Sequence, residues 1–134
     1  MKHSAIKENH LYNKVFRRGE RFIGKLVTVH ILTDYTAKKR MLAHPQRRYT
    51  NRIGLSVTKK IGGAVLRNRA KRVIRAAYDP LRPQLKTGFL LVISARAAIN
   101  GRKSTDVGAE LETAFFKLGL IRETAPFSVP DEGK

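Results

Sequence analysis

Residues 52–75 read RIGLSVTKKIGGAVLRNRAKRVIR, and this stretch decides the fold. It opens with an alternation: Ile53, Leu55 and Val57 point to one side of an extended chain, Arg52, Gly54, Ser56 and Thr58 to the other. Such a pattern predicts a strand with one face on a core. Lys59-Lys60 and the Gly62-Gly63 pair then make a turn, and from Ala64 the apolar spacing changes from two to three and four. On a helical wheel Leu66, Ala70, Val73, Ile74 and Ala77 fall within an arc of about 100°, the width of a core-facing stripe. A strand, a tight turn and a core-packed helix in succession predict an α/β architecture.

The opposite arc of the same helix holds Arg67, Asn68, Lys71, Arg72 and Arg75, with Arg69 on its flank. Residues three and four apart on a helix are neighbours, so these cations repel one another. A charged helix face is ordinarily just solvated. This one contains no acid from Ala64 to Tyr78, and arginine outnumbers lysine. The guanidinium fork meets phosphate with two parallel hydrogen bonds and sheds water readily. The pattern predicts a phosphate-binding helix.

The whole chain agrees with that reading. Its 134 residues make one domain, long enough to bury about two-thirds of the surface of the unfolded chain. A formal net charge of +18 costs self-repulsion on compaction, and nucleic acid is the commonest compensating partner. An anionic membrane is the other candidate, but no apolar run approaches a spanning length and the amphipathic faces are core-like. With no cysteine, a disulfide framework and a thiolate zinc site are excluded, which suits a reducing cytoplasm. The first 25 residues show no secretion signal.

Upstream, Leu11, Tyr12, Val15 and Phe16 recur at helical spacing from Asn9 to Arg18, with Asn9 as cap and Gly19 expected to close the helix in a left-handed conformation. Aromatics on a short helix usually belong to a core; the adjoining Lys14, Arg17 and Arg18 make RNA stacking the competing reading. Lys25–Leu32 alternates as a strand, Val27, Val29 and Ile31 against Thr28 and His30. Residues 34–51 read as a long basic loop, with Lys38, Lys39, Arg40, Arg47 and Arg48 around Pro45, either a spacer or an RNA contact.

Downstream, Asp79-Pro80 should stop the central helix, and Phe89–Ala95 is apolar enough to be a strand covered on both faces. A last helix is expected over Asp106–Leu118, with Thr105 as cap, Gly119 as stop, and Val107, Leu111, Ala114, Phe115 and Leu118 as its buried stripe. Residues 122–134, with prolines and acids, read as a flexible tail that leaves 1–121 as a single RNA-binding domain.

No catalytic set emerges. The ten acids (Glu8, Glu20, Asp34, Asp79, Asp106, Glu110, Glu112, Glu123, Asp131, Glu132) are scattered, and none forms a group that would hold metal ions for phosphodiester cleavage. His3, His10, His30 and His44 lack metal-ligand spacing, and nothing pairs two of them for acid–base cleavage. The Lys60-Ile61-Gly62-Gly63 turn lacks the lysine-serine ending of a nucleotide-binding loop. The chain reads as a binder, not a catalyst.

The run Arg52-x-Gly54, Ser56, Lys59-Lys60, Gly62, Ala64-Val65, Arg67-Asn68-Arg69, Lys71-Arg72 and Arg75 resembles, without a gap, the signature of the bacterial ribonuclease P protein family, RNR helix included. Tyr12-x-x-Val15-Phe16 followed by Gly19 is similar to the family's first helix, and the likeness spans about residues 6–121. It implies an α+β sandwich, a sheet of about four strands with two to three helices, containing a left-handed βαβ crossover against the usual hand. It also implies a catalytic RNA and precursor tRNA as partners. The holoenzyme would remove the 5′ leader of the tRNA, with Mg²⁺ held mainly by the RNA and the protein inactive alone. Neither DNA nor a membrane is expected as a partner.

Carried over to this chain, the resemblance makes Lys60, Arg67, Asn68, Arg69, Lys71, Arg72 and Arg75 the contacts to the catalytic RNA. Tyr12 and Phe16 become the stacking wall of a leader-binding cleft, with Arg17 and Lys59 as nearby charges. The period-two reading supplies its floor: Thr28, His30, Arg52, Ser56 and Thr58. His30 stands where the family often carries an aromatic, and Gly63 and Gly88 replace polar and acidic residues. The alternatives are a ribosomal protein or ribosome-assembly factor, which shares the charge but not the ungapped motif, and a nuclease acting alone.

Overall fold

The computed structural model of the protein describes residues 4–5, 9–43 and 51–121. Five strands, β1 (Ser4–Ala5), β2 (Glu20–Ile23), β3 (Val27–Thr33), β4 (Arg52–Ser56) and β5 (Phe89–Ala95), form one sheet in the order β1-β4-β5-β3-β2. Because β1 has only two residues, four strands carry the sheet. The helices are α1 (Asn9–Arg18), α2 (Tyr35–Ala43), α3 (Ala64–Tyr78) and α4 (Ser104–Lys117). Strands β4 and β5 run parallel and are joined through α3, whereas β3 is antiparallel to β5 and to β2. The α/β sandwich is present as expected.

Strand alternation sorts the sheet into two unequal faces. Val27, Val29 and Ile31 of β3, Ile53 of β4, and Leu91 and Ile93 of β5 share a large core with Ala70, Ile74, Ala77 and Tyr78 of α3 and Val107, Leu111, Ala114 and Phe115 of α4. The intervening residues face the other way, where Leu90 and Val92 meet Val15 of α1, flanked by Leu11, Tyr12 and Leu32. Strand β5 is therefore covered on both faces, as its apolar run implies. On one side two helices cover the sheet; on the other, α1 covers part of it.

Several expectations are corrected. Leu66 is 41% exposed, because α3 meets the core only from its second turn onward. The segment 34–51 is not a loop throughout, since Tyr35–Ala43 is helical. Its sequence, YTAKKRMLA, holds good helix formers but no apolar stripe, so propensity rather than periodicity favours the helix. Residues 44–50 and the expected tail, 122–134, lie outside the described residues.

Strand β2 escapes the periodicity because it is a mostly exposed edge strand, paired to β3 across a tight turn where the Gly24 N–H donates to the Val27 carbonyl (2.9 Å). Gly19 is not left-handed; among the described residues positive φ belongs to Gly62, Gly88, Gly101 and Gly119. Its role is close approach, for a Cβ there would lie 2.3 Å from the Ile31 carbonyl oxygen and 2.6 Å from that of Val15. Helix α4 starts at Ser104 rather than Asp106, with the Asp106 carboxylate accepting from the Lys103 N–H (3.2 Å). Helix α3 ends at Tyr78 as expected, but the chain continues as a 3₁₀ helix over Asp79–Gln84.

Candidate nucleic-acid interface

The face under α1 is organised in cross-strand rows. Register sets His30, Val92 and Gly54 side by side on β3, β5 and β4, and in the next row Thr28, Ser94 and Ser56. Along a strand, same-face residues stand about 7 Å apart. Tyr12 of α1 lies over Gly54, where a Cβ would fall 2.4 Å from the Tyr12 hydroxyl oxygen. Only glycine admits the ring so closely. One turn further along α1, Phe16 meets His30 edge to face, with ring centroids 4.9 Å apart and planes at 86°. The two aromatics thus stand at opposite ends of one row, and the half-exposed hydroxyl row adjoins it. Phe16 keeps 39% of its surface exposed, enough to present a ring to a ligand.

His30 is 8% exposed, and its buried Nδ1 has no hydrogen-bond partner among the described residues. Burial, and then the charge of Arg21 across the strand pair, hold its pKa below the ordinary 6.5. The ring is therefore neutral at physiological pH.

Two of the expected floor residues are occupied elsewhere. Arg52 is on the expected face, but its Nε donates to Asp34 Oδ2 (2.8 Å) and its Nη2 to Asp34 Oδ1 (3.0 Å). Asp34 is only 3% exposed, so this forked pair clamps the sheet end rather than offering a free cation. Thr58 lies beyond the end of β4, where its hydroxyl accepts from the Lys60 N–H (3.4 Å) and opens the 3₁₀ turn Lys59–Ile61. Thr28, His30 and Ser56 lie on the floor face together. Sequence reasoning missed Ser94, hidden at the end of an apolar run; its two-residue step from Leu90 and Val92 is the signal that places it on the same face.

The charges lie elsewhere. Lys59 and Lys60 are exposed on the turn, which Asn100 fixes by donating to the Ile61 carbonyl (2.9 Å). On α3, Asn68, Arg72 and Arg75 are exposed, whereas Arg67, Arg69 and Lys71 are half-buried. Arg69 Nη2 donates to the Arg102 carbonyl (2.6 Å), and Arg67 Nε and Arg69 Nη1 are buried without a partner among the described residues. No acid pairs with the α3 cations among those residues. Helix α3 packs on the sheet face opposite α1, so the two surfaces lie on opposite sides, joined by the lysine turn just past Ser56. Arg17 projects into solvent near the end of α1.

Some of the acids have structural tasks. Glu110 accepts from the N–H groups of Lys25 (3.0 Å), Leu26 (2.8 Å) and Val27 (2.8 Å), fastening the β2–β3 turn to α4. Among the described residues no three His, Asp or Glu side chains come together to hold a metal ion. Nor is any described helix long and apolar enough to cross a membrane.

An arginine-rich helix without acids, a lysine turn and a groove walled by aromatics, with Arg21 at its β2 edge, define a class: a small α/β protein with the surface chemistry of an RNA binder. The family model for Ribonuclease P matches residues 1–119, and the chain belongs to the ribonuclease P protein family. It is 35% identical over 121 residues to the ribonuclease P protein component of Clostridium acetobutylicum, an alignment covering 90% of this chain and 93% of the relative. To that of Oceanobacillus iheyensis it is 32% identical over 123 residues, covering 92% and 93%.

Among solved structures, the RNase P protein of Staphylococcus aureus superimposes with a TM-score of 0.71 at 21% identity, covering 90% of this chain and 100% of that one. The protein from Thermotoga maritima gives 0.64 at 18% identity, covering 82% and 93%. These two likenesses speak to the fold. Family membership implies partnership with the ribonuclease P RNA, as the auxiliary subunit of a tRNA-processing ribonuclease.

Proposed function

We propose that the chain assists ribonuclease P through two surfaces. Helix α3 and the Lys59-Lys60 turn dock on the catalytic RNA, and the groove under α1 holds the single-stranded 5′ leader of precursor tRNA. The observation that carries this reading is the contrast within one small domain between clustered arginines without acidic partners on α3 and a hydroxyl- and aromatic-bearing floor beside Tyr12 and Phe16, with Arg21 at its β2 edge and Arg52 held by Asp34. A folded RNA presents dense phosphate to the first; an extended strand presents bases to stack on the second. Every base has a stacking face, so this groove has little leader sequence preference.

Mg²⁺ for hydrolysis is placed by the RNA. Asp34, Asp106 and Glu110, the acids whose partners are described above, are engaged by Arg52 and by backbone N–H groups. The protein works in the cytoplasm and does not cut by itself. Duplex DNA is not a partner, because closed base pairs offer nothing to the aromatic wall, and no membrane is involved. The ribosomal reading is not favoured, since the relatives named above are ribonuclease P proteins.

The test is cleavage of precursor tRNA at low Mg²⁺ by the protein alone, the catalytic RNA alone, and both together. Cleavage only with both is expected. Cutting by the protein alone, or an RNA whose activity ignores the protein, would refute the reading.

A further inference from the structure

We propose that the groove selects RNA over DNA, because the row Thr28–Ser94–Ser56 hydrogen-bonds the 2′-hydroxyls of the strand it holds. This rests on the leader-binding reading and adds to it a means of reading the sugar.

Three observations carry the inference. First, register places the three side chains on adjacent strands, about 5 Å from one to the next, all half-exposed. None of them makes a side-chain hydrogen bond among the described residues. Two hydroxyls elsewhere are engaged: Thr113 donates to the Ala109 carbonyl (3.1 Å) and Thr58 caps its turn.

Second, the row carries no charge. Its continuation on β2 is Ile23, and Arg52, on the same face, is taken up by Asp34. Phosphate calls for cations, whereas a protein hydroxyl both donates and accepts, as the ribose 2′-hydroxyl does. Third, the aromatic row lies one step away, so bases stacked on Tyr12 and Phe16 leave their sugars over the hydroxyls.

The test uses holoenzyme reconstituted with the catalytic RNA and precursor tRNAs whose leaders share one sequence but carry ribose or 2′-deoxyribose. One neutral hydrogen bond is a factor of about 2 to 10 in affinity, so three half-exposed ones at the lower end of that range should make the ribose leader bind the unmodified protein about tenfold tighter. The triple variant Thr28→Val, Ser56→Ala, Ser94→Ala should bring that ratio to about one. It should do so by weakening the ribose leader more than the deoxyribose leader, and a deoxyribose leader that still binds better than leaderless tRNA shows that the groove is intact. Ser94→Ala alone should lower the ratio part of the way.

A ratio of one in the unmodified protein would overturn the inference. So would equal losses on both leaders in the variants, which would put the hydroxyls on phosphate or in the fold. If both leaders bound better than leaderless tRNA but equally, this inference alone would fail. If neither did, the leader-binding reading would fail and take this one with it.

Discussion

Helix α3 and the groove under α1 occupy opposite faces of one sheet and work by opposite means. The α3 surface comes from a single 15-residue segment and needs only a helix to align its cations. The groove draws on α1, β3, β4 and β5, and exists only where their register brings His30, Val92 and Gly54 into one row and the hydroxyls into the next. Charge acts at a distance and tolerates small displacements; stacking and hydrogen bonding do not. Damage to the fold should therefore reach the groove first, and loss of α3 arginines should alter salt dependence while leaving the fold alone.

The largest expected effect tests on which side of that divide Arg52 falls. Asp34→Ala leaves the half-buried guanidinium without its forked partner and should destabilise the protein by about 3 kcal/mol, read as a lower urea midpoint with an unchanged slope. If Arg52→Ala instead left stability alone and weakened leader binding, Arg52 would be a leader contact rather than a clamp and the contrast would weaken. Next, Phe16→Ala should weaken binding of leader-bearing precursor by roughly 1–3 kcal/mol, the stacking scale, with leaderless tRNA unaffected. An equal loss on both would make Phe16 a support for His30 and nothing more.

Smaller again, Arg72→Ala should flatten the dependence of log affinity for the catalytic RNA on log salt by about one unit. Arg72 is a cleaner probe than Arg69, which also holds the Arg102 carbonyl. An unchanged slope would remove Arg72 from the phosphate contacts. The smallest effect concerns pH. His30 has a folded pKa below 6.5, so the unfolded chain takes up the proton first on acidification. Its contribution to stability is complete above pH 6.5 and is lost as pH falls from there through the folded value. His30→Phe should remove that slope when urea midpoints are compared above and below pH 6.5; a slope that persists would belong to another group.

The same divide explains what the sequence discloses. The extents of α1 and α3 are legible because apolar spacing and the Asp79-Pro80 breaker are local signals. So is the face shared by Thr28, His30 and Ser56, since period two survives any packing. The engagement of Arg52 is not, because its partner stands 18 residues away at the start of a segment that reads as a loop. Ser94 is obscured by the apolar run before it, β2 is mostly exposed, and the sequence of α2 carries no apolar stripe to mark it. Gly19 looks like a helix stop and is in fact the point where α1 touches β3, a contact between segments that only the folded chain reveals.

The strand order has a consequence for synthesis. Strands β3 and β4 never pair; β5, made after both, slides in between them. A chain emerging from its N-terminus has every arginine of α3 by Tyr78, but Thr28 and Ser56 share no neighbour until Ser94 arrives. The nascent protein thus carries its basic helix while its groove is still two unconnected half-floors, and the keystone is among the later pieces laid.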